Sequence, residues 1–137
     1  SNAAFLIGAS IIIPGSKIKL NNVLFNKTRM AFINILKQMG AKIKISNIDH
    51  QHYESMCSIE SQFSRNLKAM KIDKSNIIQL IDEVPILCIV ATQAMGTTII
   101  EDGEELRLKE TDRINAIYKN LKQMGADVLE KNFQKIS

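Results

Sequence analysis

The sequence predicts an α+β fold made of a repeated helix-strand-helix-strand-strand unit, and three observations lead there. Leu36-Lys37-Gln38-Met39-Gly40-Ala41 recurs unchanged as Leu121-Lys122-Gln123-Met124-Gly125-Ala126, a spacing of 85 residues. Apolar residues recur at three and four in some segments and alternate in others, so helices and strands are interleaved. The same order of elements surrounds both copies: Pro14-Gly15-Ser16-Lys17-Ile18-Lys19-Leu20 parallels Met95-Gly96-Thr97-Thr98-Ile99-Ile100-Glu101. Repeats of this kind are units that share one core by stacking.

Each element has its own signal. An apolar helical pattern begins at Ala4, and Ser1-Asn2-Ala3 is set apart from the fold because it reads like the scar of a cleaved tag. Lys17-Ile18-Lys19-Leu20 and Lys42-Ile43-Lys44-Ile45 alternate polar and apolar, as strands with one buried face do. Phe32, Ile35, Leu36 and Met39, and likewise Ile114, Ile117, Leu121 and Met124, mark amphipathic helices over 28–39 and 111–124. Gly40 and Gly125 stop them. Ser58-Ile59-Glu60-Ser61-Gln62-Phe63 and Leu67-Lys68-Ala69-Met70-Lys71-Ile72 read as short strands. Pro85, suited to a first helical turn where its missing N–H is no loss, opens an apolar helix running to about Met95 and buried on nearly all sides. The units fall at roughly 4–72 and 73–137.

Composition narrows the function. A chain of 137 residues, 45% hydrophobic and 23% charged, is one domain or part of one, with enough apolar side chain for a core. Its apolar runs are about a dozen residues, where a membrane span needs about 20, so a soluble protein with no membrane partner is expected. Cys57 and Cys88 form neither a disulfide framework nor a C-x-x-C site, which points to a reducing, cytoplasmic compartment. The net charge of +4 favours anions weakly. The aromatic residues are not interleaved with basic ones, so no nucleic-acid platform is expected. Asp49-His50-Gln51-His52 with Cys57 matches no zinc spacing and reads as a loop.

Chemistry concentrates in two places. Within Glu104-Glu105-Leu106-Arg107-Leu108-Lys109-Glu110-Thr111-Asp112-Arg113, a helix start puts Lys109, Glu110 and Arg113 on one surface. The two cations and the helix N-terminus suit a phosphate or carboxylate, and Glu110 among them suits proton transfer. A solvated charge run is the alternative. Asp82 precedes the apolar helix, either as its cap or as a second carboxylate facing the same cleft. Thr28-Arg29, at the place in the first unit that Asp112-Arg113 holds in the second, is a further anion contact or only a helix start.

These residues carry a resemblance. Glu105-Leu106-Arg107-Leu108-Lys109-Glu110-Thr111-Asp112-Arg113-Ile114 resembles the E-L-R-V-K-E-[ST]-D-R-[IL] signature of the EPSP synthase family, the 3-phosphoshikimate 1-carboxyvinyltransferases. Ile81-Asp82-Glu83-Val84-Pro85 is similar to its I-D-E-x-P, and Asn26-Lys27-Thr28-Arg29 to N-P-T-R with Lys27 in place of proline. Ala3-Ala4-Phe5 resembles the end of S-S-A-A-F, and Ala69 stands where L-K-G-[IV] has glycine. The resemblance implies two domains of three β-α-β-α-β-β units each. This chain would cover two units, a partial enolpyruvyl transferase domain over 4–137 lacking its partner domain and inactive alone.

It also implies transfer of the carboxyvinyl group of phosphoenolpyruvate to the 5-hydroxyl of shikimate 3-phosphate, without metal or organic cofactor, in aromatic amino-acid biosynthesis. The residue matching Asp82 then contacts the shikimate and accepts a proton, and Glu110 moves a proton at the enolpyruvyl carbon. Lys109 binds shikimate 3-phosphate and Arg113 phosphoenolpyruvate. Two other readings remain at this point: the sister transferase acting on UDP-N-acetylglucosamine, which lacks the K-E-[ST]-D-R signature, and a noncatalytic anion- or RNA-binding module.

Overall fold

The computed structural model describes residues 2–50, 54–100 and 135–136. The elements are α1 (Asn2–Ile12), β1 (Lys17–Leu24), α2 (Lys27–Gln38), β2 (Lys42–Asp49), β3 (Met56–Gln62), β4 (Lys71–Ile72), α3 (Lys74–Gln79), α4 (Val84–Ala91), β5 (Thr98–Ile100) and β6 (Lys135–Ile136), with a 3-10 turn over Ile81–Glu83. Two sheets form: β1-β3-β2, antiparallel throughout, and β4-β5-β6, in which β4 runs parallel to β5 and β6 antiparallel to it. A parallel pair needs a crossover, and the segment holding α3, the 3-10 turn and α4 supplies it. The fold is α+β, as the periodicities predict.

The two halves echo each other. An apolar helix, α1 or α4, ends in a turn whose glycine is left-handed (Gly15 at φ +82°, Gly96 at φ +95°), and a strand follows, β1 or β5. Each strand pairs antiparallel with a later one, β3 or β6. The second hexapeptide copy and the helix expected over 111–124 lie outside the described residues.

The core is where the helices meet the first sheet. Ile7, Ile11, Phe32, Ile33, Leu36, Met39 and Ile59 are fully enclosed, joined by Leu87 and Cys88 of α4. Helices α1 and α4 approach so closely at Gly8 that a Cβ there would run into Cγ1 and Cδ1 of Ile86. A larger residue at this crossing would require the Ile86 side chain to shift, so the constraint is one of space and not of backbone angle. Ser10 of α1 donates to the Ile7 carbonyl at 2.7 Å and shares a hydrogen bond with Ser61 of β3, so the helix–sheet contact carries one satisfied polar link.

Local chemistry explains the boundaries. Asn26 caps α2, its Oδ1 accepting from the Arg29 N–H at 2.8 Å, and Lys27 is the first helical residue, a position where proline serves equally well. At the other end Gly40, at φ +100°, lets its N–H reach the Lys37 carbonyl and the Ala41 N–H reach that of Leu36. Asn2 and Ala3, set apart in the sequence reading, are the first residues of α1, and Ala3 packs against the core.

Three elements differ from expectation. The apolar helix stops at Ala91 rather than near Met95: Thr92 Oγ1 donates back to the Ile89 carbonyl, and the Gln93 and Ala94 N–H groups bond three residues back, tightening the last turn before Gly96. Only Lys71–Ile72 of the expected strand 67–72 pairs as a ladder, and it joins the second sheet, so the change of sheet falls between Gln62 and Lys71. Leu67 and Ala69 instead exchange single backbone bonds with Met95, and the Ala69 methyl lies 3.2 Å from where a Cβ on Gly96 would stand. The third is a six-residue helix, α3, that the sequence reading did not anticipate. Asp73 caps it, accepting from the Asn76 N–H at 2.9 Å and the Ser75 hydroxyl at 2.8 Å. These bonds hold the Asp73 carboxyl below its ordinary pKa, so its support of α3 is present above the usual carboxylate range and lost as pH falls through the lowered value.

Both cysteines are free and buried. Burial raises the Cys88 thiol far above its ordinary pKa; it also raises Cys57, with the nearby Arg29 charge offsetting part of the effect. Because the thiolate is the nucleophile, iodoacetamide at about pH 8 is expected to label neither cysteine in the folded protein and both after unfolding in urea. Native labelling of Cys57 at the rate of a free thiol would contradict its burial.

Candidate functional site

Of the candidate site residues, Asp82 is the one that lies within the described residues. It lies in the 3-10 turn between α3 and α4, exposed, while Leu80, Glu83 and Val84 beside it are buried. The turn is closed by the Glu83 N–H on the Leu80 carbonyl at 2.9 Å. Leu80 and Val84 therefore anchor the backbone in the core, and the carboxylate projects from a rigid support. Such an arrangement holds a reacting group in place better than a loop would.

The N-cap position of α4 falls one residue after Asp82. The residue at the N-cap of α4 is Glu83, with helical backbone angles and no side-chain capping bond, and Pro85 removes one of the N–H groups a cap would satisfy. The Asp82 carboxylate stands in the turn that leads into the positive end of this helix. Lys109, Glu110 and Arg113, the other candidate site residues, lie outside the described residues.

Thr28 and Arg29 lie in the first turn of α2, with Asn26 as the cap, and Arg29 is half-buried with its charge near Cys57. Asp49 is the last residue of β2 rather than part of a loop, His50 Nδ1 bonds the Ser55 hydroxyl at 2.8 Å, and Gln51 and His52 lie outside the described residues; among those described no group of His, Cys, Asp and Glu could hold a metal ion. No helix among them is long and apolar enough to cross a membrane.

Fold and site together define a segment of an α+β repeat protein that presents a carboxylate at the entrance of a buried helix. The model of the EPSP synthase (3-phosphoshikimate 1-carboxyvinyltransferase) family matches residues 1–137, and the chain belongs to that family. It is 46% identical over 130 residues to the 3-phosphoshikimate 1-carboxyvinyltransferase of Persephonella marina, covering 95% of this chain and 30% of that one. The Streptococcus agalactiae protein of the same name is 46% identical over 128 residues, 93% of this chain. A solved EPSP synthase from Acinetobacter baumannii superimposes with a TM-score of 0.88 at 36% identity, over 98% of this chain and 31% of that one. The chain thus spans about 30% of the length of the curated relatives it matches. The match includes residues 1–3, in keeping with the place of Asn2 and Ala3 in α1.

Proposed function

We propose that the protein to which this chain belongs transfers the carboxyvinyl group of phosphoenolpyruvate to the 5-hydroxyl of shikimate 3-phosphate. The observation that carries the reading is family membership over the whole chain together with the exposed, rigidly mounted Asp82. Asp82 accepts the proton of the 5-hydroxyl as its oxygen bonds to C2 of phosphoenolpyruvate. Glu110 gives a proton to C3, producing a tetrahedral intermediate. Loss of phosphate from C2 and of a proton from C3 back to Glu110 then leaves the enolpyruvyl ether. Lys109 holds shikimate 3-phosphate and Arg113 phosphoenolpyruvate, as cations suited to anionic substrates.

In this reading the chain supplies one wall of the cleft, and the facing domain and a third repeat of its own domain supply the rest. The two units run roughly over 4–72 and 73–137; the separate sheets of the described residues support the division, with β4 leaning into the second unit. The free thiols agree with a reducing cytoplasm. The relatives named above give no support to the UDP-sugar reading or to a noncatalytic binding module.

Calorimetric titration of the full-length protein tests the substrate assignment. Lys109→Ala is expected to weaken shikimate 3-phosphate binding about 10–100-fold, the scale of one charge-assisted hydrogen bond of about 1.5–3 kcal/mol. Arg113→Ala is expected to raise the KM for phosphoenolpyruvate while leaving shikimate 3-phosphate affinity within about threefold, less than about 1 kcal/mol. Unchanged affinity in Lys109→Ala would remove that residue from the site.

A further inference from the structure

The first sheet has a charged face that the proposed reaction does not use. Its strand order puts β3 in the centre and β1 and β2 at the edges. The register aligns Lys17 and Lys42 on either side of Gln62, and Lys19 and Lys44 on either side of Glu60. All four lysines are exposed, with Glu60 and Gln62 half-buried between them. Neighbouring strands are about 4.8 Å apart and alternate residues about 6.8 Å apart, so the four stems rise from the corners of a rectangle of roughly 10 by 7 Å. At its Gln62 end lies a cavity of about 290 Å³ lined by Lys17, Lys42, Lys44, Glu60 and Gln62 among others.

This face is turned away from the helices. Ser61, the next residue of β3, points the other way, to Ser10 of α1. Asp82 belongs to the helical layer, at the start of α4, which packs on α1. The lysines are therefore separate from the carboxylate proposed for catalysis.

We propose that this face is a binding site for a small polyanion with adjacent phosphate groups, a phosphoanhydride such as pyrophosphate. Lys17 and Lys42 converge on one phosphate above Gln62, whose amide is a further donor, and Lys44 reaches the next. Glu60 cuts the charge of the four lysines to a net +3, which gives modest affinity and disfavours ligands that spread a single charge across the whole face. The cavity is near the lower end of the range for small-molecule sites and suits a compact ligand rather than a nucleic-acid strand. Lysines on edge strands also deter edge-to-edge pairing, but that purpose requires neither their alignment on one face nor a concavity between them.

The test uses the full-length protein carrying Lys109→Gln and Arg113→Gln, which removes the cations assigned to the cleft. Calorimetry with inorganic pyrophosphate is expected to show saturable binding, weaker with orthophosphate and weakened further when NaCl is raised from about 50 to about 500 mM. Adding Lys17→Gln and Lys42→Gln should lower pyrophosphate affinity at least about tenfold. Absence of saturable binding, or binding indifferent to Lys17 and Lys42, overturns the proposal. So does self-association of the Lys17→Gln/Lys42→Gln protein with no pyrophosphate binding beforehand, which would assign the lysines to edge protection.

Discussion

Replacing Asp82 with alanine, or Glu110 with glutamine, in the full-length protein is expected to lower carboxyvinyl transfer by about 10²–10⁴-fold, the usual contribution of a positioned acid or base. The present chain alone, given both substrates, is expected to show none. Holding two reactants in reacting geometry within a closed cleft accounts for about 7–11 kcal/mol of barrier lowering, and a chain spanning about 30% of its relatives' length cannot enclose them. Reading the unfolding midpoint beside turnover separates the two roles: loss of a structural contact of Asp82 costs about 1 kcal/mol of stability and spares the chemistry, whereas loss of a reacting group lowers turnover. A folded Asp82→Ala protein turning over within about threefold of the unmodified one would remove Asp82 from the chemistry.

Phe32→Ala is expected to produce the largest loss of stability, about 3–5 kcal/mol in urea denaturation of the full-length protein's corresponding domain. Phe32 is fully enclosed on the inner face of α2, with Ile33, Leu36 and Met39 beside it. Truncating it removes the transfer free energy of the ring and leaves a cavity that rigid neighbours cannot collapse. Against a typical domain stability of about 5–15 kcal/mol, that is enough to populate the unfolded state at moderate urea. Gln38→Ala, exposed on the same helix, should stay within about 0.5 kcal/mol. A midpoint for Phe32→Ala matching that of Gln38→Ala would mean that α2 does not pack on this core.

Local pattern was enough to read α2, β1, β2 and β3. Their periods survive in α2, β1 and β2 because each turns one side to the core and the other toward solvent, and a face is a property of residues close in sequence; β3, the central strand, is buried or half-buried along its whole length. Asp82 was legible for a different reason: it stands in a short motif beside Pro85, and the start of a helix is marked locally. The end of α4 was less legible, because the run from Ile86 to Ala91 is apolar throughout, Ala94-Met95 resume it after Thr92-Gln93, and it carries no periodic contrast. Only the Thr92 back-bond and Gly96, held against Ala69 from another part of the chain, ended it.

By itself the sequence determined the class of fold, the first amphipathic helix, the family and the candidate carboxylate, all of which rest on spacing within a few residues or on motif. Tertiary structure decided that the N-cap position of α4 falls on Glu83, that β4 joins the second sheet and that Gly8 is where α1 and α4 cross. It also decided that Lys17, Lys19, Lys42 and Lys44 share one surface. Each of these depends on which distant segment lies alongside: the two lysine pairs are about 25 residues apart in sequence and meet only because β3 returns between their strands. Local propensity carries no information about that return, which is set by burying both sheet and helices around Phe32, Ile59 and their neighbours.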